Sequence, residues 1–194
     1  MADFTAAHAF TAKWEGGLSD HPDDPGGVTN YGICIAFLKD FAKTKSNRDL
    51  LAQMGVSLPV RRETILRLTA EHAAAIMKVA FWMPLQCDKW PQSFSLAIYD
   101  AGVNMGLGIA RRFAQSAVGT TVDGIWGPKT RAALEALTAA STAAHREAAL
   151  RVCALRMDRY DWICERNPRM KVFYTGWSRR VYALEELIKQ ISPR

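Results

Sequence analysis

The segment from Leu18 to Gly32 constrains the fold more than any other part of the chain. It carries Pro22, Pro25, Gly26, Gly27 and Gly32. Proline lacks an amide hydrogen and clashes with the preceding helical turn, and glycine gives up backbone order, so no helix runs through such a stretch. It reads as a loop or a small β-hairpin region. Elsewhere the apolar residues recur at helical spacing. The spacing predicts helices over Phe4–Trp14, Ile33–Ala42, Asn47–Met54, Thr69 to about Trp82, Pro91 through Val103, Ile109–Val118, Pro128 to about Leu137, Ser141–Glu165 and Val172–Ile191. Thr69 reads as an N-cap, and Pro91 and Pro128 as first-turn prolines. No strand alternation of useful length occurs outside 18–32, and no internal repeat. The expected class is mainly α, a helical bundle with a small β-hairpin or loop region near residues 18–32.

Charge and cysteine usage narrow the classes of function. Lys and Arg exceed Asp and Glu by 25 to 19, a net charge of +6, which favours an anionic partner. The arginines come as the isolated doublets Arg61-Arg62, Arg111-Arg112 and Arg179-Arg180, read as solvated helix faces, with no basic stripe interleaved with aromatics, so no nucleic-acid partner is expected. Cys34, Cys87, Cys153 and Cys164 form no Cys-x-x-Cys pair and read as free, mostly buried thiols. His8, His21, His72 and His145 are scattered, so neither a metal nor another cofactor is expected. No apolar run reaches membrane-spanning length, and no stable membrane insertion is expected. Met1-Ala2-Asp3-Phe4 lacks the basic-then-apolar pattern of a secretory signal. The expectation is synthesis in the cytoplasm, with release by another component, and a monomer.

Chemistry concentrates in Trp14-Glu15-Gly16-Gly17 and the acidic loop behind it. A carboxyl beside an aromatic wall loses hydration, which raises its pKa and suits it to act as a general acid. Asp24 follows nine positions later, and Pro25 with two glycines can aim it back across a cleft. Glycoside hydrolysis commonly uses such a pair, one carboxyl protonated and one ionised. Thr29 and Asn30 are polar residues able to orient water. The same residues also admit a plainer reading: a helix terminus at Glu15-Gly16-Gly17 and ordinary turn chemistry at Asp24-Pro25-Gly26-Gly27. Asp20 and Asp23 read as turn residues.

The string Glu15-Gly16-Gly17, then Pro22-x-Asp24-Pro25-Gly26-Gly27-x-Thr29-Asn30-x-Gly32-Ile33, resembles the N-terminal signature of glycoside hydrolase family 108. That family contains phage endolysins and secretion-linked N-acetylmuramidases. Phe81-Trp82 with Pro84, Asp100, Val103-Asn104 with Gly106, and Gln115 extend the likeness. Thr121-Val122-Asp123-Gly124-x-x-Gly127-Pro128-x-Thr130 resembles the peptidoglycan-binding segment that follows in such proteins, and Gly176-Trp177 with Arg179-Arg180-Val181 resembles their C-terminal end. The resemblance implies a lysozyme-like catalytic region over 1–118, completed by C-terminal helices, and a peptidoglycan-binding-like segment over 119–194. It implies cleavage of the MurNAc-β-1,4-GlcNAc bond with Glu15 as the acid and Asp24 as the second carboxylate. It leaves open whether Thr29 or Asn30 positions water. Analogy with phage-type lysozymes implies inversion. Leu18 stands where the family has Tyr, His21 where it has Asp, and Cys34 where it has Thr, the last expected to be a packing change.

Further candidates for substrate contact are Asp100 and Asn104, which share one helix face, and Trp126, set in a turn between glycines. For Asp100, Asn104 and Gln115 the alternative is a buried polar group holding a neighbouring loop. Trp82, Trp90, Trp162 and Trp177 read as core or as sugar-stacking platforms. The expected activity is thus a peptidoglycan hydrolase acting on the bacterial wall, a phage endolysin released by a holin or a secretion-linked muramidase. The alternatives are a lytic transglycosylase using Glu15 alone, and a wall-binding protein without catalysis.

Overall fold

The computed structural model describes residues 2–19 and 27–192. It is mainly helical with one two-stranded antiparallel hairpin, as the spacing predicts. The chain divides into two compact units, one of residues 8–80 and one of 1–7 with 81–194.

The smaller unit begins with the end of α1 (Phe4–Ala12), then β1 (Thr29–Asn30) and β2 (Ile33–Cys34). Four short helices follow: α2 (Ile35–Phe41), α3 (Lys45–Gln53), α4 (Arg62–Leu66) and α5 (Ala70–Met77). Their starts are set by side chains that accept otherwise unpaired first-turn amides. Thr44 accepts from Asn47 N at 3.2 Å, and Thr69 from His72 N at 3.3 Å. Cys34 does the same for α2, its Sγ accepting from Phe37 N at 3.5 Å. Cys34 is therefore a helix cap, and the expected packing change is corrected. The core here is Phe10, Val28, Ile33, Leu38, Leu51, Ile65, Ile76 and Met77. Helix α4, too short to show a period, was not expected from the sequence.

A π-helical stretch, Lys78–Trp82, continues α5. In the larger unit, α6 (Gln92–Met105) is the central element. Every residue from Ser93 to Gly102 is buried, the mark of a helix covered all round. It packs against α7 (Leu107–Ala117), α9 (Thr142–Arg166) and α10 (Lys171–Ile191), while α8 (Pro128–Ala139) lies on α9. Gly106, at φ 85°, turns the chain between α6 and α7, a conformation that favours glycine. Trp82 and Trp90 are core residues. Trp82 meets Phe4 and Tyr99 edge-on, and the Trp90 indole donates to Leu85 O at 2.9 Å. All four cysteines are free, Cys34 part-buried and the rest buried. Burial pushes the Cys153 thiol up to about 12 and Cys87 well above the thiol range. Among the described residues no helix is long and apolar enough to cross a membrane.

Candidate active site

Helix α1 ends at Ala12, and the chain tightens into i→i+3 turns, Lys13 N to Phe10 O at 3.2 Å and Trp14 N to Thr11 O at 2.9 Å. Glu15 follows in a bend beyond the helix rather than as its last residue. Gly16 takes φ 74° and turns the backbone away; Gly17 faces open space.

The hairpin supplies the other side. Asn30 pairs with Ile33, and the two residues between them, Tyr31 and Gly32, take φ 50° and 76°. Positive φ at both central residues is the type I′ geometry that matches the twist of paired strands. This turn lies against Glu15. A Cβ added to Gly32 would fall 2.9 Å from Glu15 Cβ, 2.9 Å from Glu15 Oε2 and 3.0 Å from the Met77 methyl. Real Cβ atoms do not approach so closely, so the carboxyl occupies space that exists because residue 32 has no side chain. Glu15 Oε1 is shut off from solvent although the residue as a whole is part-buried.

Ser19 and Thr29 exchange two backbone hydrogen bonds, both 2.8 Å. These tie together the two ends of the segment that carries Asp20, His21, Asp23 and Asp24. Those four residues lie outside the described residues. Thr29 and Asn30 are successive strand positions and point to opposite faces. The buried Asn30 amide donates to Ile65 O at 3.1 Å and Leu68 O at 3.3 Å, holding the hairpin to α4. Its donors are committed to the core. Thr29, on the other face, is part-buried.

Asp100 lies elsewhere, in the larger unit. It is 0% exposed. Arg180 grips it through Nη2 at 2.7 Å and Nε at 3.0 Å, and Arg156 adds an ion pair from α9. Burial alone would raise its pKa; the two guanidiniums outweigh that and hold it at about 2. A carboxylate so enclosed has no surface to offer a sugar, so its expected place in a groove is corrected: it is a core ion-pair residue. Arg180 is likewise buried and is no solvated face. Both arginines occupy the apolar stripes of their helices, Arg156 between Cys153 and Tyr160, Arg180 between Trp177 and Leu184. That placement was the signal in the sequence that could have found them. Asn104, a turn further along α6, is part-buried and accepts from the Tyr160 hydroxyl at 2.7 Å.

Gln115 organises the loop after α7. Its Oε1 accepts from Gly124 N at 2.7 Å, and its Nε2 lies 2.7 Å from Asp123 Oδ1, 3.0 Å from Ile125 O and 3.2 Å from Thr130 Oγ1. The bonds from Gln115 and from the Ile125 amide pull the Asp123 carboxyl below the usual range. Trp126 is part-buried; its ring meets Trp90 edge-on at 6.1 Å and its indole N–H reaches Arg111 O at 3.5 Å. The most exposed apolar side chain of this loop is Ile125, at 70%. No group of His, Cys, Asp and Glu that could hold a metal ion occurs among the described residues.

The family model described as glycosyl hydrolase 108 matches residues 8–106, the span that contains Glu15, the hairpin and its packing partners. The chain belongs to glycosyl hydrolase family 108. A second model, described as a predicted peptidoglycan domain, matches residues 109–182, the Gln115 loop included. The chain is therefore a family 108 glycosyl hydrolase followed by a peptidoglycan-binding domain. Its fold is similar to the solved structure of SagA from Brucella abortus, with a TM-score of 0.71, 27% identity, and coverage of 98% of this chain and 96% of that one. No match was found among curated proteins.

Proposed function

We propose that this family 108 hydrolase is an N-acetylmuramidase that cuts the MurNAc-β-1,4-GlcNAc bond of peptidoglycan. The observation that carries the reading is the seat of the Glu15 carboxyl. One oxygen is withdrawn from water and the other lies against the backbone of a type I′ turn. A proton donor to a glycosidic oxygen has to be held in one place, beside the strand end that brings its partners.

In this reading Glu15 gives its proton to the leaving oxygen as the sugar ring takes on oxocarbenium character. Asp24, ionised, serves the opposite side of the bond by activating water or stabilising positive charge. The Thr29 hydroxyl orients that water. Residues 109–182 hold the enzyme on its polymer, with Trp126 among the contacts, and the charge of +6 draws it to an anionic wall. The enzyme acts on the wall after release from the cytoplasm through a holin or a secretion system.

Digestion of purified peptidoglycan, with product masses read out, tests this. Wild type should release fragments with hydrated reducing ends. Glu15→Gln and Asp24→Asn should each lose at least about a hundredfold in rate, the usual scale for removing a general acid or base. Anhydro products, with Asp24→Asn still active, would assign a lytic transglycosylase instead. Co-sedimentation with walls but no released fragment would assign a binding protein.

A further inference from the structure

We propose that the corner joining α9 to α10 is a docking surface for the face of an anionic lipid membrane, a partner beyond the wall polymer.

The corner consists of the last two turns of α9, the short turn Pro168–Met170 and the first turn of α10. Every residue from Glu165 to Phe173 is exposed except Met170, which is part-buried. Three large apolar side chains stand in water here: Val172 at 76%, Phe173 at 54% and Trp162 at 43% exposure. Phe173 stacks on Trp177 with centroids 5.8 Å apart and still keeps half its surface in solvent. Apolar groups gathered on a surface in this way mark a contact with something outside the chain. Trp162, read as core or as a sugar platform, is not a core residue. The guanidinium carbons of Arg159, one turn before it, and Arg166, one turn after it, lie 4.1 and 5.1 Å from its ring centre.

Charge identifies the partner. Between Arg159 and Phe173 the cations Arg159, Arg166, Arg169 and Lys171 stand against Asp161 and Glu165, and no acid follows Glu165 in that stretch. None of these four cations makes an ion pair with a described residue. Arg156 and Arg180, on the same two helices, are instead turned inward onto Asp100. Unpaired cations beside exposed apolar groups match a bilayer face, which presents anionic phosphates with hydrocarbon beneath them. Arginine and lysine reach the phosphates while their stems and the neighbouring apolar groups sink towards the acyl chains. Tryptophan, with an apolar body and one polar N–H, suits that boundary. A soluble polyanion would meet the cations but leave Val172 and Phe173 in water. No described helix is long and apolar enough to cross a membrane, so the contact is with its surface.

Flotation of the full chain with vesicles tests this. Phosphatidylcholine vesicles containing about one-third phosphatidylglycerol should carry the protein up, and phosphatidylcholine alone should not. Molar salt should release most of it. Replacing Arg166, Arg169 and Lys171 together by Gln should weaken partition about a hundredfold, roughly a factor of five for each cation. Val172→Asn keeps every charge and should weaken it about tenfold. Replacing Lys39, Lys43 and Lys45 together by Gln removes the same charge from exposed positions in the smaller unit and should leave partition close to wild type. Equal binding to both vesicles, an equal loss in the two triple variants, or unchanged partition in Val172→Asn would overturn the assignment. Sedimentation showing a dimer that Val172→Asn dissolves would give the corner to a second copy of the chain and overturn it as well.

Discussion

At the scale of single residues, Gly32 answers two demands at once. Its φ of 76° lies where an L side chain is strained, and its missing Cβ leaves room for the Glu15 carboxyl. Alanine there would meet both, with about 1–2 kcal/mol of backbone strain and a clash against Glu15 Cβ, an atom that cannot swing aside as a carboxyl tip can. Gly32→Ala should therefore displace the acid while the hairpin persists. We expect kcat on peptidoglycan to fall about a hundredfold, the cost of misplacing a reacting group by roughly an ångström. KM should stay close to wild type and the far-ultraviolet circular dichroism should be unchanged. Gly108→Ala, on α7 with open space around it, is the control and should keep full activity. Equal kcat for the two variants would show that Gly32 does not seat the acid. The sequence reading found both glycine and acid but not their contact. Gly32 was legible as a break in helical periodicity, and nothing in a linear string says which side chain fills the space a glycine leaves.

At the scale of elements, the helices were legible wherever a long apolar period or a strong cap marked them. Thr69, Ser141 and Pro128 begin helices as expected, because their side chains act on the backbone within one turn. What escaped was decided over longer range. Helix α4 is held by the hairpin through the Asn30 amide, from a residue read only as a water-orienting candidate. Cys34 escaped for a chemical reason, since thiols are not counted among capping residues. As a cap it is poor, because sulfur is a weak acceptor. Cys34→Thr, restoring the residue usual in the family resemblance, should shorten and strengthen the bond to Phe37 N. The expected gain is about 0.5–1 kcal/mol, or a Tm rise of roughly 1–4 °C for a chain of this length, measured by thermal denaturation under reducing conditions. A lower Tm would mean that residue 34 serves packing after all.

At the scale of the whole molecule, the excess of positive charge was plain from composition, but its distribution was not. Two of the arginines are inside, sharing the Asp100 carboxylate, so they join α6, α9 and α10 rather than meeting an anionic surface. The folded carboxyl titrates at about 2 against an ordinary 3.8. Because the folded value is the lower one, the unfolded chain takes up this proton first as pH falls. The stabilisation is thus complete above about pH 4 and disappears towards pH 2. The size of the shift corresponds to about 2 kcal/mol. Asp100→Asn leaves two buried guanidiniums facing a neutral amide, a loss of roughly 3–5 kcal/mol near neutrality. Urea unfolding of both proteins between pH 6 and pH 2 separates this group from every other carboxylate, since all the others are common to the pair. The stability gap should be widest above pH 4 and close by about 2 kcal/mol at pH 2. A gap that stays constant across that range would mean that the charge on Asp100 contributes nothing, and that shape alone holds the three helices together.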